Sequence, residues 1–113
     1  MKITFGQALK QIRREKRVSQ RELASKVGVD FSYISKIEND RLPPPSADTI
    51  IRMCQILNVP SEILLAQSGK VSTGIKEVIS TSEGAIRFLN EVQEMKLSDD
   101  DWLKLTNVLK KLK

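Results

Sequence analysis

Residues 19–39, SQRELASKVGVDFSYISKIEN, decide the fold, because two short helical patterns meet there at a glycine. Ser19 followed by Glu22 has the form of a capping box. The hydroxyl accepts from the third helical N–H while the glutamate reaches back to the Ser19 N–H. A helix is therefore expected to begin at Gln20. Val18 just outside that cap and Leu23 just inside it stand where a hydrophobic staple needs them, which sets the angle of the incoming chain. Leu23 and Val27 mark one apolar face, and Ala24 supplies a small side chain where two helices approach closely. Gly28 follows, where a helix can stop in the left-handed conformation that glycine reaches without a Cβ penalty. Val29 then points inward and Asp30 is the candidate cap of a second helix.

In that second helix Ile34 and Ile37 share a buried face at the i, i+3 spacing, leaving Phe31, Ser32, Ser35, Lys36 and Asn39 largely outward. An exposed face with one aromatic, two hydroxyls, one cation and one amide suits base edges and phosphates. Any small helical hairpin can carry a capping box and a glycine. The joint pattern Gln20, Ala24, Gly28, Ile34, Ile37 and Glu38 is much more specific, and it reads as a helix-turn-helix.

At these residues the chain resembles the DNA-binding domain of the phage repressor and Cro family, often called the XRE family. The likeness runs over about residues 5–65, somewhat more than half of the sequence. It is carried by Gln20 opening the second helix, by YISKIEN at 33–39 and by PSADTIIRMCQILNV at 45–59. The resemblance implies an all-α fold with a five-helix repressor-like DNA-binding domain at residues 1–69; from residue 70 the likeness fades, and the helical pattern alone gives a smaller helical C-terminal unit, residues 70–113. The resemblance also implies that the helix from Phe31 enters the DNA major groove while the preceding helix crosses the backbone. In the resembled family the arginine at the place of Arg13 pairs with the glutamate ending the recognition helix, here Glu38. A partly buried bidentate pair would tie helix one to helix three, with small net stability because desolvation opposes attraction. A solvated surface pair is the alternative. Asp40 departs from the family, which usually has glycine there. Aspartate takes the left-handed conformation less readily, so the form of this turn stays open.

Residue chemistry divides the expected contacts. Gln20 carries an amide at a helix start, where backbone N–H groups also point outward, so it is expected to grip a phosphate. Ser32, Ser35 and Lys36 suit base edges, with lysine favouring guanine acceptors. Phe31 either meets a thymine methyl or packs against helix two. Tyr33, Asn39 and Arg41 are expected on the DNA backbone. Lys10 and Arg14, near the far end of helix one with Lys16 and Arg17, complete the candidate DNA contacts.

Composition sets the bounds on other functions. A chain of 113 residues has room for one modest domain and an appendage. Hydrophobic residues at 40% and charged residues at 29% are those of a soluble globular protein. No apolar run approaches the ~18 residues of a membrane span. MKITFGQALKQ has no apolar core or cleavage site of a signal peptide, so a cytoplasmic, nucleoid-associated location is expected. With one cysteine and no histidine, zinc sites and histidine-based catalysis lose their usual groups. Cys54 falls with Ile50, Met53 and Leu57 on a helical apolar face and is expected to be a packed thiol. No nucleophile and base pair, glycine-rich phosphate loop or metal cluster stands out, so no enzymatic activity and no cofactor are expected. The net charge of +5 is unevenly placed: residues 1–70 hold 12 Lys and Arg against 7 Asp and Glu, while residues 71–113 hold 7 against 7. A basic front half attracts phosphates; a neutral back half has no such reason to meet nucleic acid.

Helix one is expected over about residues 4–16, with Thr4 and Gln7 as a capping box and Phe5, Ala8, Leu9 and Ile12 as its buried stripe. The three prolines of DRLPPPS exclude helix and strand. Ser46 caps a fourth helix over about 47–57, and a short fifth, SEILLAQS, ends at Gly69 with Ile63 and Leu64 closing the core.

Residues 70–113 show three further helical patterns. Val71, Ile75, Val78 and Ile79 fit the first. Ser80 and Glu83 read as the capping box of the second, whose stripe is Ala85, Phe88, Leu89, Val92 and Met95. Ser98 to Asp101 begin the third, which ends in lysines as a helix dipole favours, with Trp102, Leu105, Val108, Leu109 and Leu112 as its core stripe. Ile86 and Leu103 fall outside these stripes, so something else is expected to cover them. The reading is a dimerisation unit that holds two heads against half-sites about 34 Å apart on a two-fold-symmetric double-stranded DNA operator. The alternative is that the same surface docks on the first domain. Some regulators of similar layout are released from DNA by a partner protein or a protease, but nothing in these residues identifies one. The expected function is a sequence-specific transcriptional regulator, a dimeric repressor; a protein-interaction module of antitoxin or bridging-factor type is the alternative.

Overall fold

The computed structural model describes residues 3–113, and every regular element among them is a helix. Thr4 opens α1 (Phe5–Glu15) with both halves of a capping box: its hydroxyl accepts from the Gln7 N–H at 3.1 Å, and the Gln7 side chain accepts from the Thr4 N–H at 2.9 Å. Ser19 caps α2 (Gln20–Val27), accepting from the Glu22 N–H at 3.0 Å. The reciprocal bond of the expected box does not form among the described residues. Glu22 instead accepts from Lys26 one turn on, at 3.1 Å, a partner on its own helix face. Gly28 ends α2 at φ 89°, its N–H returning to the Ala24 carbonyl. α3 (Phe31–Glu38) starts after Asp30, whose backbone is extended as a cap requires but whose side chain makes no capping bond.

The proline-rich connection is irregular, and Ser46 then caps α4 (Ala47–Leu57) by accepting from the Thr49 N–H at 3.3 Å. α5 (Glu62–Ser68) ends at a left-handed Gly69. α2 packs on α3 and α4, α1 on α3 and α5, and α4 on α5. Between them Leu9, Leu23, Ile34, Ile37, Ile50, Met53, Leu57 and Leu64 are sealed from solvent, each contributing about 1.5–3 kcal/mol of transfer free energy. Ile63, expected in this core, is 62% exposed; Leu65, on the other side of Leu64, packs there instead.

Two compact units result, one ending at Thr73 and one spanning Gly74–Lys113. The first runs past residue 69 because the tail is tied back: Lys70 Nζ donates to the Pro44 carbonyl at 2.9 Å and the Thr73 N–H to Asp48 at 3.3 Å.

The second unit takes in most of α6 (Thr73–Ser80), with α7 (Glu83–Met95) and α8 (Asp99–Lys110). Ser80 ends α6, so the cap of α7 is Ser82, accepting from the Ala85 N–H at 3.2 Å, rather than the expected Ser80 and Glu83 box. Ser98 and Asp101 form a complete capping box for α8. No described residue of these three helices is buried. The expected core stripes are only partly covered: Ala85, Leu89, Val92 and Leu105 are half-buried, while Phe88, Trp102 and Leu109 are exposed, as Ile86 and Leu103 are. Phe88, Val92, Leu105 and Val108 line a groove shared by α7 and α8. Three short helices do not have enough surface to cover one another's apolar faces.

Candidate nucleic-acid interface

The orientation of α3 is set by a buried lock. Arg13 Nε donates to Glu38 Oε2 at 2.6 Å and Nη2 to Oε1 at 2.9 Å, while Nη1 donates to the Val18 carbonyl at 2.9 Å. Both side chains are buried, so the planar guanidinium ties α1, the turn before α2 and the last turn of α3 in one step. Gln20 joins from α2, Nε2 donating to Glu38 Oε1 at 2.9 Å. Its amide nitrogen therefore gives one of its two N–H groups to the lock. Among the described residues no buried side-chain nitrogen or oxygen lacks a partner.

α1 meets the end of α3 at Gly6, which sequence reading missed. A Cβ there would collide with the Ile37 carbonyl oxygen and lie 2.8 Å from that of Glu38 and 2.7 Å from Asp40 Oδ1. Only the absence of a side chain lets the helices approach so closely. Asp40 adopts the left-handed conformation at φ 59°, and its Oδ2 accepts from the Thr4 hydroxyl at 2.9 Å. The side chain thus links the start of α1 to the turn after α3.

With Ile34 and Ile37 inward, α3 leaves Ser32 and Lys36 exposed and Tyr33 and Ser35 half-buried. Asn39 is exposed, and its Nδ2 donates to the Ser35 carbonyl at 2.9 Å at the end of the helix. Arg41 is exposed, and its N–H closes the turn on the Lys36 carbonyl at 2.8 Å. Phe31 is 39% exposed, and the Arg21 guanidinium of α2 lies 4.4 Å from its ring centroid. Lys10 and Arg14 of α1 and Arg21 and Phe31 line one shallow hollow with Ser19 and Gln20. Arg21 was missed from sequence; its only local signal is an exposed cation in the first turn of α2.

Burial pushes the Cys54 thiol above its ordinary value, with Glu62 nearby adding to the effect. The described residues hold no group of three or more His, Cys, Asp or Glu able to hold a metal. No helix among them is long and apolar enough to cross a membrane.

Five helices with α2 and α3 meeting at a left-handed glycine, and a polar ridge on α3 beside free cations, define a helix-turn-helix domain. The helix-turn-helix family profile matches residues 9–64. The chain belongs to that family, of the XRE type. It is 36% identical over 80 residues to the uncharacterized HTH-type transcriptional regulator RghRB of Bacillus subtilis (strain 168), a match covering 71% of this chain and 58% of that one. It is 40% identical to SinR, the master regulator for biofilm formation, in a crystal structure with DNA, with a TM-score of 0.51 over 55% of this chain and 98% of that one. A SinR/SinI protein complex is similar at 28% identity and a TM-score of 0.51, covering 82% of this chain and 97% of that one. The chain spans about half the length of the curated relatives it matches.

Proposed function

We propose that this chain is a sequence-specific, double-stranded-DNA-binding transcriptional regulator, a dimeric repressor that reads the major groove with α3. One observation carries the reading: Ser32 and Lys36 stand free on a helix braced by the Arg13–Glu38–Gln20 lock, beside the cations Lys10, Arg14 and Arg21. Ser32, Ser35 and Lys36 take base edges; Tyr33 and Arg41 take phosphates with Lys10 and Arg14. The similarity to SinR bound to DNA supports the same use of the fold. A protein-docking face would carry apolar side chains at its centre, where α3 carries hydroxyls and a cation.

The 74–113 unit joins two copies through its open apolar surface, Ile86 and Leu103 included, so that two α3 helices meet a two-fold-symmetric operator. A second protein that engages this chain and releases it from DNA fits the similarity to the SinR/SinI complex. The protein works in the cytoplasm on the nucleoid, as a binding protein rather than an enzyme.

The test is a titration of the full chain against a duplex recovered by in vitro selection and a random-sequence duplex, over a range of salt. Specific binding is expected to persist where random binding has gone. Lys36→Ala is expected to relax preference at one base position, at a cost of about 1–3 kcal/mol there, whereas Arg14→Ala weakens every sequence alike. Equal binding of both duplexes at all salt concentrations would rule the reading out.

A further inference from the structure

Resting on the DNA-binding reading, we infer that Phe31 does not read a base: its ring is the platform that holds Arg21 as a clamp on one DNA phosphodiester. Gln20, at the start of α2, has its amide nitrogen drawn into the Glu38 lock. Its neighbour Arg21 adds an exposed cation at the same helix start. Arg21 lies over the Phe31 ring at 4.4 Å, and among the described residues no carboxylate pairs with Arg21, Lys10 or Arg14. All three cations border the same shallow hollow, which Ser19, Gln20 and Phe31 also line.

An anionic tetrahedral group fits this arrangement and a base edge does not. The hollow offers cations and no arrangement of acceptors that would distinguish one base from another. Stacking leaves the guanidinium N–H edge free to donate to two phosphate oxygens, and the ring removes rotamer freedom that a long arginine would otherwise lose on binding. A phenylalanine facing a thymine methyl would need its ring clear, yet one face is already covered by Arg21. Phe31 is thus a positioning residue, acting on affinity through Arg21.

The experiment measures Kd against salt for the selected and random duplexes with the wild type, Arg21→Ala, Phe31→Ala, Phe31→Trp and the double alanine variant. Arg21→Ala is expected to lower the slope of log K against log salt by about 1. Phe31→Ala weakens both duplexes by the same factor, about two- to fivefold, and leaves base preference intact, while Phe31→Trp retains affinity because the larger ring still stacks. The double variant is no weaker than Arg21→Ala alone. Loss of preference at a single base position in Phe31→Ala, or additive effects in the double variant, overturns the inference while leaving the DNA-binding reading in place. A wild type that never distinguishes the selected duplex overturns that reading and this inference with it. Both side chains are exposed, so the variants are expected to fold, and unchanged urea midpoints check this.

Discussion

Arg13 grips Glu38 through both of its terminal carboxylate oxygens, and the same carboxylate also receives Gln20, so one buried anion collects donors from two other helices. Its desolvation is offset by three hydrogen bonds; a single truncation leaves a buried charge without its counterion. Glu38→Ala or Arg13→Ala is expected to cost about 3–5 kcal/mol, whereas replacing both by apolar residues of similar volume costs far less. Urea denaturation of the two single variants and of an Arg13→Met, Glu38→Leu pair measures this. A double variant as unstable as the sum of the singles would show that the two side chains act independently.

Gly6 makes a prediction of opposite sign to helix propensity. Replacing a helical glycine by alanine ordinarily stabilises by about 0.5–1 kcal/mol. Here the added methyl meets backbone oxygens at the end of α3, so Gly6→Ala is expected to destabilise by roughly 1–3 kcal/mol and to weaken specific DNA binding, since relief moves α3 away from α1. A higher urea midpoint for the variant would show that the helices are not in close contact there.

What could be seen in the sequence follows from the range of the interaction. Caps are written within four residues, so Thr4, Ser19, Ser46 and Ser98 mark true helix starts. Where two serines compete, as Ser80 and Ser82 do, spacing alone chose the wrong one, because the end of α6 had already taken Ser80. The helical period turns Ser32 and Lys36 outward and Ile34 and Ile37 inward. The same period could not separate Ile63 from Leu65, which flank Leu64 on a helix of two turns. Gly6 depends on α1 meeting the far end of α3, which no local pattern encodes, whereas contact of Phe31 with α2 was one of the two readings open at that position. An amphipathic stripe states that a face wants cover but not what covers it, which is why the stripes of α7 and α8 read as core and yet are buried only in part.

Cys54 is buried on α4 with its thiol pKa raised chiefly by desolvation. A raised folded value means that the folded state keeps the proton after the unfolded thiol has lost it. The contribution to stability is therefore whole below the unfolded thiol's pKa and declines as pH rises through it toward the folded value. Stability of the wild type is expected to fall in that alkaline range more than that of Cys54→Ala, after allowing for the cavity the variant leaves. At neutral pH a thiol reagent should modify Cys54 only as fast as the chain opens. Prompt modification of the native chain would show that the site is accessible.

The 74–113 unit makes the most consequential prediction, because the proposed operator symmetry depends on it. Ile86 on α7 and Leu103 on α8 are both exposed, so two single substitutions can locate the contact. Sedimentation of the full chain is expected to show a monomer–dimer equilibrium that Leu103→Asp or Ile86→Asp shifts to monomer, since a carboxylate buried against apolar side chains lacks a partner. Docking of the unit on the first domain predicts a monomer at every concentration, in the wild type as in the variants. Dimerisation also has a consequence on DNA. Once one head is bound, the second meets its half-site at an effective concentration near millimolar, an avidity of roughly 10²–10⁴ that a monomeric variant forfeits. Such a variant should still protect a half-site with unchanged base preference, because the lock that aims α3 lies wholly within the first unit. Loss of base preference along with affinity would mean that the C-terminal helices aim α3 as well as pair two copies of it.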